Sequence, residues 1–104
     1  MNTTSFDDLA AEIYQEDQQL AVDVLNDCLR DGDMGELLVH LRQMTKAFGG
    51  VGAVAREAGL HEKTLYKTLS RDGNPNLRTL VNLAGVMGMR LAFVPCKAEQ
   101  VSPA

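Results

Sequence analysis

The sequence predicts an all-α fold, a small helical bundle that ends in one short strand. Apolar residues recur at intervals of three and four through most of the 104 positions, which is the helical period. Four of the six predicted helices follow a serine, an aspartate or an asparagine, residues that cap helix starts well. Only residues 89–94 alternate as a strand does. No apolar run nears the roughly 20 residues of a membrane span, so we expect a single domain outside the membrane.

The first three helices are predicted from their caps and their apolar stripes. Thr4 or Ser5 precedes a helix over residues 6–15, and Asp17 precedes a second helix. Asp33 and Glu36 have the spacing of a capping box at the start of a third helix. The three stripes are Leu9, Ile13 and Tyr14; Leu20, Val24, Leu25, Cys28 and Leu29; and Leu37, Leu41, Met44 and Phe48. We expect the third stripe to face the core, whereas the first two stripes are thin, and whether their helices fold alone or only on a partner stays open.

Two short helices, over residues 51–58 and 61–70, have the pattern of a helix-turn-helix. Ala55 is small where the second helix must approach, Gly59 suits the turn because glycine adopts a positive φ at little cost, and Leu65 lies on the inner face. Units of this kind place their second helix in the major groove of DNA. The alternative is a pair of amphipathic helices within a bundle that binds no DNA.

A last helix and a strand complete the predicted domain. Asn76 caps the helix, and its inward residues are Leu77, Leu80, Val81, Ala84 and Met87. The strand comprises Arg90, Leu91, Ala92, Phe93 and Val94. Because a lone strand has no pairing partner in a helical chain, we expect it to pair with the same strand of a second copy, giving a homodimer. Residues 95–104 are expected to form a flexible tail.

Charge divides the chain into an acidic front and a basic remainder. Residues 1–33 contain nine acidic residues and one arginine, whereas residues 34–104 contain nine basic and five acidic residues. We therefore assign residues 1–33 as acidic helices that can bind a partner, and residues 34–94 as a DNA-binding domain with its C-terminal strand. The simpler alternative is that the acidic front only keeps the chain in solution.

The outward face of the second short helix supplies the candidate DNA contacts. Lys63 can donate to guanine, and Glu62 can accept from a cytosine amino group. Tyr66 and Lys67 suit phosphates as well as bases; packing of Tyr66 and simple solvation of the lysines are the alternatives. The predicted set, with the loop that follows, is His61, Glu62, Lys63, Thr64, Tyr66, Lys67, Arg71, Asn74 and Asn76. The expected partner is double-stranded DNA, bound by two copies on half-sites about 34 Å apart.

Other chemistries find no support in the sequence. His40 and His61 form no metal-ligand spacing with each other or with Cys28 and Cys96. The glycine-rich stretch 49–52 lacks the Lys-Ser/Thr pair of a phosphate-binding loop. We expect no cofactor and no enzyme activity. With no signal-peptide pattern at the N-terminus, we expect a cytoplasmic protein with reduced cysteines, Cys28 being packed in a helix face.

Several segments together resemble a known family. They are Leu-Arg-Asp-Gly-Asp at 29–33, the glycine-rich run 49–60, Leu-Tyr-Lys-Thr-Leu-Ser at 65–70, Gly-Asn-Pro at 73–75, and Leu91. With them, residues 25–93 resemble the addiction-module antidote family, the HigA-like antitoxins of the Cro/Xre helix-turn-helix group. The resemblance implies a lambda-repressor-like helix-turn-helix bundle in a bacterial or prophage protein that represses its own promoter. It also implies binding to a small basic toxin of the RelE/ParE type, encoded by a neighbouring gene.

The chain departs from this family at the start of the second short helix. Serine and arginine are common there, whereas this chain has His61 and Glu62. Histidine is a poor cap and Glu62 brings a negative charge towards DNA, which affects the expected sequence preference more than the binding itself. Two other functions stay open. One is a stand-alone prophage repressor; the other is a protein-interaction module with little DNA affinity, which Glu62 and the net charge of −4 favour.

Overall fold

The computed structural model describes residues 5–96, and six α-helices make up most of them. The helices are α1 (Phe6–Glu16), α2 (Gln18–Asp31), α3 (Met34–Ala47), α4 (Val51–Ala58), α5 (Glu62–Thr68) and α6 (Leu77–Val86). Residues 5–96 contain no strand, so the predicted all-α class is confirmed for this part of the chain. The helix bounds agree with the predicted ones within the one or two residues by which such assignments vary.

Three predicted helix caps are confirmed. The side-chain oxygens of Ser5, Asp17 and Asn76 each accept a hydrogen bond from the backbone N–H three residues later, at 3.1, 3.0 and 2.8 Å respectively. Each bond satisfies one of the N–H groups that the first turn of a helix leaves without a partner. Helices α1, α2 and α6 therefore begin where local side-chain chemistry predicts.

The predicted capping box at the start of α3 is only half formed. Asp33 Oδ1 accepts from the Glu36 N–H at 3.0 Å, as expected. The Glu36 carboxylate does not return to Asp33, because it accepts a hydrogen bond from Arg71 and lies 3.4 Å from His40 Nε2. The Asp33 N–H instead donates to the Cys28 carbonyl, at 3.0 Å, in the turn that ends α2. The expectation of a reciprocal box is therefore wrong.

Three residues join α4 to α5. Gly59 has a φ of 71° and ends α4, and the Leu60 N–H donates to the Ala55 carbonyl at 2.8 Å. This arrangement is a glycine-dependent helix end, because residues with a side chain rarely adopt a positive φ. His61 then precedes α5 without a side-chain cap. Helix α5 is shorter than the predicted helix over 61–70, by one residue at its start and two at its end.

The helices share one hydrophobic core, in which α3 links the two halves of the chain. Helices α1 and α2 pack on α3, while α4 packs on α5 and α6 and also contacts α3. The core members contributed by the acidic front are Ala10, Tyr14, Ala21, Leu25 and Cys28. The fully buried side chains of the other half include Val54, Leu65, Leu69, Leu83 and Met87. The acidic helices are thus held on the rest of the chain by apolar packing.

Three residues that were predicted to face the core lie at the surface instead, namely Phe48, Leu77 and Val81. Four residues of the first two apolar stripes, Leu9, Ile13, Leu20 and Leu29, are exposed as well. The expectation was wrong because a helical period identifies the apolar side of a helix but not which edge of it packs against a neighbour. On α1 the buried face is formed by Ala10, Ala11 and Tyr14, so that Leu9 and Ile13 are left outside.

A polar network joins α1 to α3. Asp7 accepts from Arg42 Nε at 3.1 Å and from Gln43 Nε2 at 3.2 Å. Gln43 is 2% exposed, and its Oε1 lies 3.1 Å from His40 Nδ1, which in turn lies 2.9 Å from Tyr14 Oη. Burial raises the pKa of Tyr14 above its ordinary value. Because buried polar groups require partners, this network favours one rotational setting of α1 on α3.

Residues 89–96 follow α6 without regular secondary structure. The segment predicted as a strand, residues 90–94, has exposed side chains throughout, and Phe93 is completely exposed. It has no strand partner within residues 5–96, so its pairing with a second copy stays a prediction. Of the predicted tail, residues 97–104 lie outside the described residues.

Candidate nucleic-acid interface

The outer face of α5 presents polar and charged groups above a buried leucine seam. Leu65 and Leu69 are buried, whereas the predicted contacts on and beside α5 are all exposed: His61, Glu62, Lys63, Thr64, Tyr66 and Lys67. Lys63 and Lys67 are one turn apart and therefore lie side by side on the helix surface. Within residues 5–96 neither lysine makes a hydrogen bond or an ion pair, so both ammonium groups are available to an anion.

Glu62 is directed towards the start of α4 rather than straight outwards. Its carboxylate lies beside the α carbon of Gly52, where an added β carbon would come within 3.0 Å of Oε1. The start of α4 has no side-chain cap at Gly50. A negative charge is favourable there because the N–H groups and the helix dipole make a helix N-terminus positive. Glu62 therefore occupies a position that a DNA phosphate would also favour.

An open groove of about 390 Å³ runs between α5 and the loop that precedes α6. Its lining includes three predicted contacts and one acidic side chain, namely Thr64, Lys67, Asn74 and Asp72. Gly73 permits the loop to lie so close, since a β carbon at this position would fall 1.8 Å from the Thr68 carbonyl oxygen. The structure thus brings Asn74 of the loop next to the polar face of α5.

Arg71, in the same loop, is already engaged within the protein. Its guanidinium donates a hydrogen bond to the carboxylate of Glu36 on α3, and this contact raises the pKa of Arg71 above its ordinary value. The side chains of Arg71 and Glu36 are 59% and 36% exposed. Because exposed ion pairs are weak, a phosphate can compete with Glu36 for this guanidinium.

Asn76 combines exposure with a structural role. Its side-chain oxygen caps α6 by accepting from the Thr79 N–H. The amide nitrogen of the same side chain remains as a donor for a phosphate oxygen. Asn76 was predicted both as a cap and as a DNA contact, and the geometry allows both uses at once.

Lys46, in the last turn of α3, was not selected from the sequence. Its Nζ lies 2.7 Å from Asp8 Oδ1, and this hydrogen bond lowers the pKa of Asp8 and raises that of Lys46. A smaller electrostatic contribution from Tyr66 also raises the pKa of Lys46. The sequence signal was weak, because a basic residue is common in the last turn of any helix.

Three further features of the chain concern metal binding, membrane insertion and cysteine chemistry. Residues 5–96 contain no group of three or more His, Cys, Asp or Glu side chains placed to bind a metal ion. Among the helices of this part of the chain, none is long and apolar enough to cross a membrane. Cys28 is buried and Cys96 is exposed, and neither forms a disulfide.

The chain is thus a small helical protein in which two acidic helices pack on α3 and an exposed lysine-bearing helix, α5, packs on α4. Residues 2–95 match the model of the family described as "probable addiction module antidote protein". Since the match covers most of the chain, the protein belongs to this family, and we identify it as an antitoxin of an addiction module, which implies a toxin as its partner. The resemblance to this antidote family is confirmed to that extent. No match was found among curated proteins or among solved structures.

Proposed function

We propose that this antitoxin binds operator DNA sequence-specifically, represses its own promoter, and neutralises a small basic toxin of the RelE/ParE type. In this proposal α4 and α5 are the helix-turn-helix of a lambda-repressor-like domain of the Cro/Xre group, with α5 in the major groove. The protein acts in the cytoplasm as a homodimer and uses no cofactor. Family membership supports the antidote role, whereas the DNA-binding role rests on residues of this chain.

The single observation that carries the DNA-binding role is the pair Lys63 and Lys67. Both are exposed on the face of α5 opposite its buried leucines, and neither has a partner within residues 5–96. Two other cations, Lys46 and Arg71, are instead held by carboxylates. Lys63 and Lys67 can therefore bind a phosphate or a guanine edge without first breaking an ion pair within residues 5–96.

Homodimer formation would use the segment Arg90, Leu91, Ala92, Phe93 and Val94, whose side chains are all exposed. Phe93→Glu should convert a dimer into a monomer because it places a charge in the interface. Leu29→Glu, at an exposed apolar position on α2, is the matched control and should leave the dimer intact. Sedimentation velocity distinguishes the two species. A wild-type monomer at concentrations that bind DNA would contradict this part of the proposal.

The DNA-binding role is tested by fluorescence anisotropy with the DNA upstream of the protein's own gene, at several salt concentrations. For the wild type, log affinity should fall with log salt by about 0.9 per phosphate contact. Lys63→Ala with Lys67→Ala should weaken binding and reduce that slope by up to about two. Arg30→Ala removes a positive charge from α2 and is the control that should bind like the wild type.

Glu62 gives an independent arm of the same experiment. If a phosphate approaches the start of α4, Glu62→Gln removes a competing charge and should raise the affinity on the order of threefold to tenfold. Glu57→Gln, at an exposed position on α4, should change it less. Should the wild type show no preference over random DNA at low salt, the repressor role is wrong and the protein acts through protein partners alone.

A further inference from the structure

Helix α1 has two apolar faces, and only one of them packs against another element within residues 5–96. The inner face packs on α3. The second face is formed by Phe6, Leu9 and Ile13, which are 75%, 48% and 50% exposed. Their spacing of three and four residues aligns them along one side of the helix. We call these three side chains the α1 stripe, a row of large apolar groups that residues 5–96 leave uncovered.

Acidic side chains border the α1 stripe. Glu12 and Glu16 lie one turn apart, and at 100° per residue they fall on the helix surface next to Leu9 and Ile13. Both are exposed, and neither has a hydrogen bond or an ion pair within the described part of the chain. The basic residues of α3 do not neutralise them, because Arg42 binds Asp7 and Lys46 binds Asp8.

This combination restricts what can cover the stripe. A second copy placed symmetrically would bring the Glu12 and Glu16 carboxylates of both chains together, which is unfavourable in a desolvated interface. Anionic lipid surfaces and nucleic acids carry the same sign of charge and are repelled as well. A protein with an apolar groove rimmed by lysine or arginine satisfies both features, since an amphipathic helix binds such a groove through residues spaced three and four apart.

We propose that the α1 stripe, with Glu12 and Glu16 beside it, is the surface through which the protein binds its toxin, and that it enters a basic-rimmed apolar groove. The inference rests on the proposed antidote function and adds the surface that performs it. Phe6, Leu9 and Ile13 supply the buried contacts, and the two glutamates supply orientation and fast association. The polar network on the opposite side of α1 holds the helix in place when the toxin binds.

The test uses the full chain and, as probe, the small basic protein encoded by the adjacent reading frame, with affinity measured by isothermal titration calorimetry. Leu9→Gln with Ile13→Gln should weaken binding at least about 30-fold, because it makes the centre of the stripe polar while preserving helix propensity. Leu77→Gln with Val81→Gln is the matched control, a pair of exposed apolar residues at the same spacing on α6. Glu12→Gln with Glu16→Gln should weaken binding about threefold to tenfold and reduce its salt dependence.

The outcomes separate this inference from the antidote function itself. If the wild type binds the probe and the α1 variant binds equally well, or the α6 control loses as much, the assigned surface is wrong. Failure of the wild type to bind would overturn the antidote function together with the surface. Loss of self-association in the α1 variant, measured by sedimentation, would show that a second copy covers the stripe and would also overturn the proposal. Unchanged DNA binding and circular dichroism of the α1 variant would confirm that its fold is intact.

Discussion

Glu36 on α3 and Arg71 in the loop before α6 form an ion pair between residues 35 positions apart in the sequence. Glu36 was expected to complete a capping box, but its carboxylate is turned towards the loop and towards His40. The pair fastens the loop that borders the candidate DNA-binding groove to the central helix of the bundle. Arg71 is therefore already engaged in an ion pair before DNA binds.

Glu36→Gln should raise DNA affinity by a few fold, because it releases Arg71 and removes a negative charge near the groove. If Arg71 then gains a phosphate, the salt slope should steepen by about one. Both side chains are partly exposed, so the free energy of unfolding should change little. Fluorescence anisotropy and urea denaturation measure the two effects. Glu57→Gln is the control, and an affinity no higher than that of this control would argue against competition at Arg71.

The double role of Asn76 can be separated with two substitutions. Asn76→Ala removes the α6 cap and should lower the free energy of unfolding by about 1 kcal/mol. Asn76→Asp keeps an acceptor for the Thr79 N–H and should preserve stability, but it should weaken DNA binding because it faces phosphates with a negative charge. Asn82→Asp, an exposed residue within α6, controls for added charge. Equal DNA affinity of the two aspartate variants would remove Asn76 from the interface.

The network between α1 and α3 predicts a specific cost of losing Asp7. Asp7→Ala leaves Gln43 Nε2 buried without its acceptor and Arg42 without its ion pair. An unsatisfied buried group costs about 1–3 kcal/mol, so we expect a decrease of that order in the free energy of unfolding. Glu12→Ala removes an exposed carboxylate on the same helix and should cost within about 0.5 kcal/mol. Similar urea midpoints for both variants would contradict the structural role of Asp7.

The two cysteines should react at very different rates. Burial, with a smaller contribution from nearby carboxylates led by Glu36, raises the pKa of Cys28 above its ordinary value, so its reactive thiolate form is scarce. Cys96 is exposed. In the native protein, iodoacetamide at pH 8 should therefore label Cys96 first and Cys28 only slowly, as measured by mass spectrometry of tryptic peptides. Comparable labelling after unfolding in urea is the control. Rapid native labelling of Cys28 would mean that α2 opens readily from α3.

Local interactions were predictable from the sequence, whereas long-range ones were not. The caps at Ser5, Asp17 and Asn76 depend on atoms three residues apart, and their side chains determine them directly. The carboxylate of Glu36 was expected to accept from the nearby Asp33 N–H, but it accepts from the distant Arg71 instead. The bonds of Asp7 with Arg42 and Gln43 likewise depend on how α1 crosses α3, which no local pattern specifies.

The helical spacing of apolar residues predicted where the helices lie better than it predicted which side chains of each helix are buried. Leu9 and Ile13 have the correct spacing for a core stripe, yet α1 buries its alanines and Tyr14 instead. The small alanines allow α1 to approach α3 closely, a packing advantage that a count of hydrophobic residues does not reveal. For the candidate interface, exposure of the α5 residues follows directly from burial of Leu65 and Leu69. The orientation of Glu62 towards Gly52 required three-dimensional information.

The close approach at Gly73 has a consequence for how this protein can change during evolution. Any side chain there would collide with the Thr68 carbonyl and push the loop away from α5. A saturation library at position 73 should therefore return glycine alone, whereas the exposed Asn74 should accept many residues. Gly73 fixes the path of the loop, whereas its polar groups are supplied by other residues such as Asn74. New ligand preferences can therefore arise by substitution of those residues while the loop backbone keeps its position.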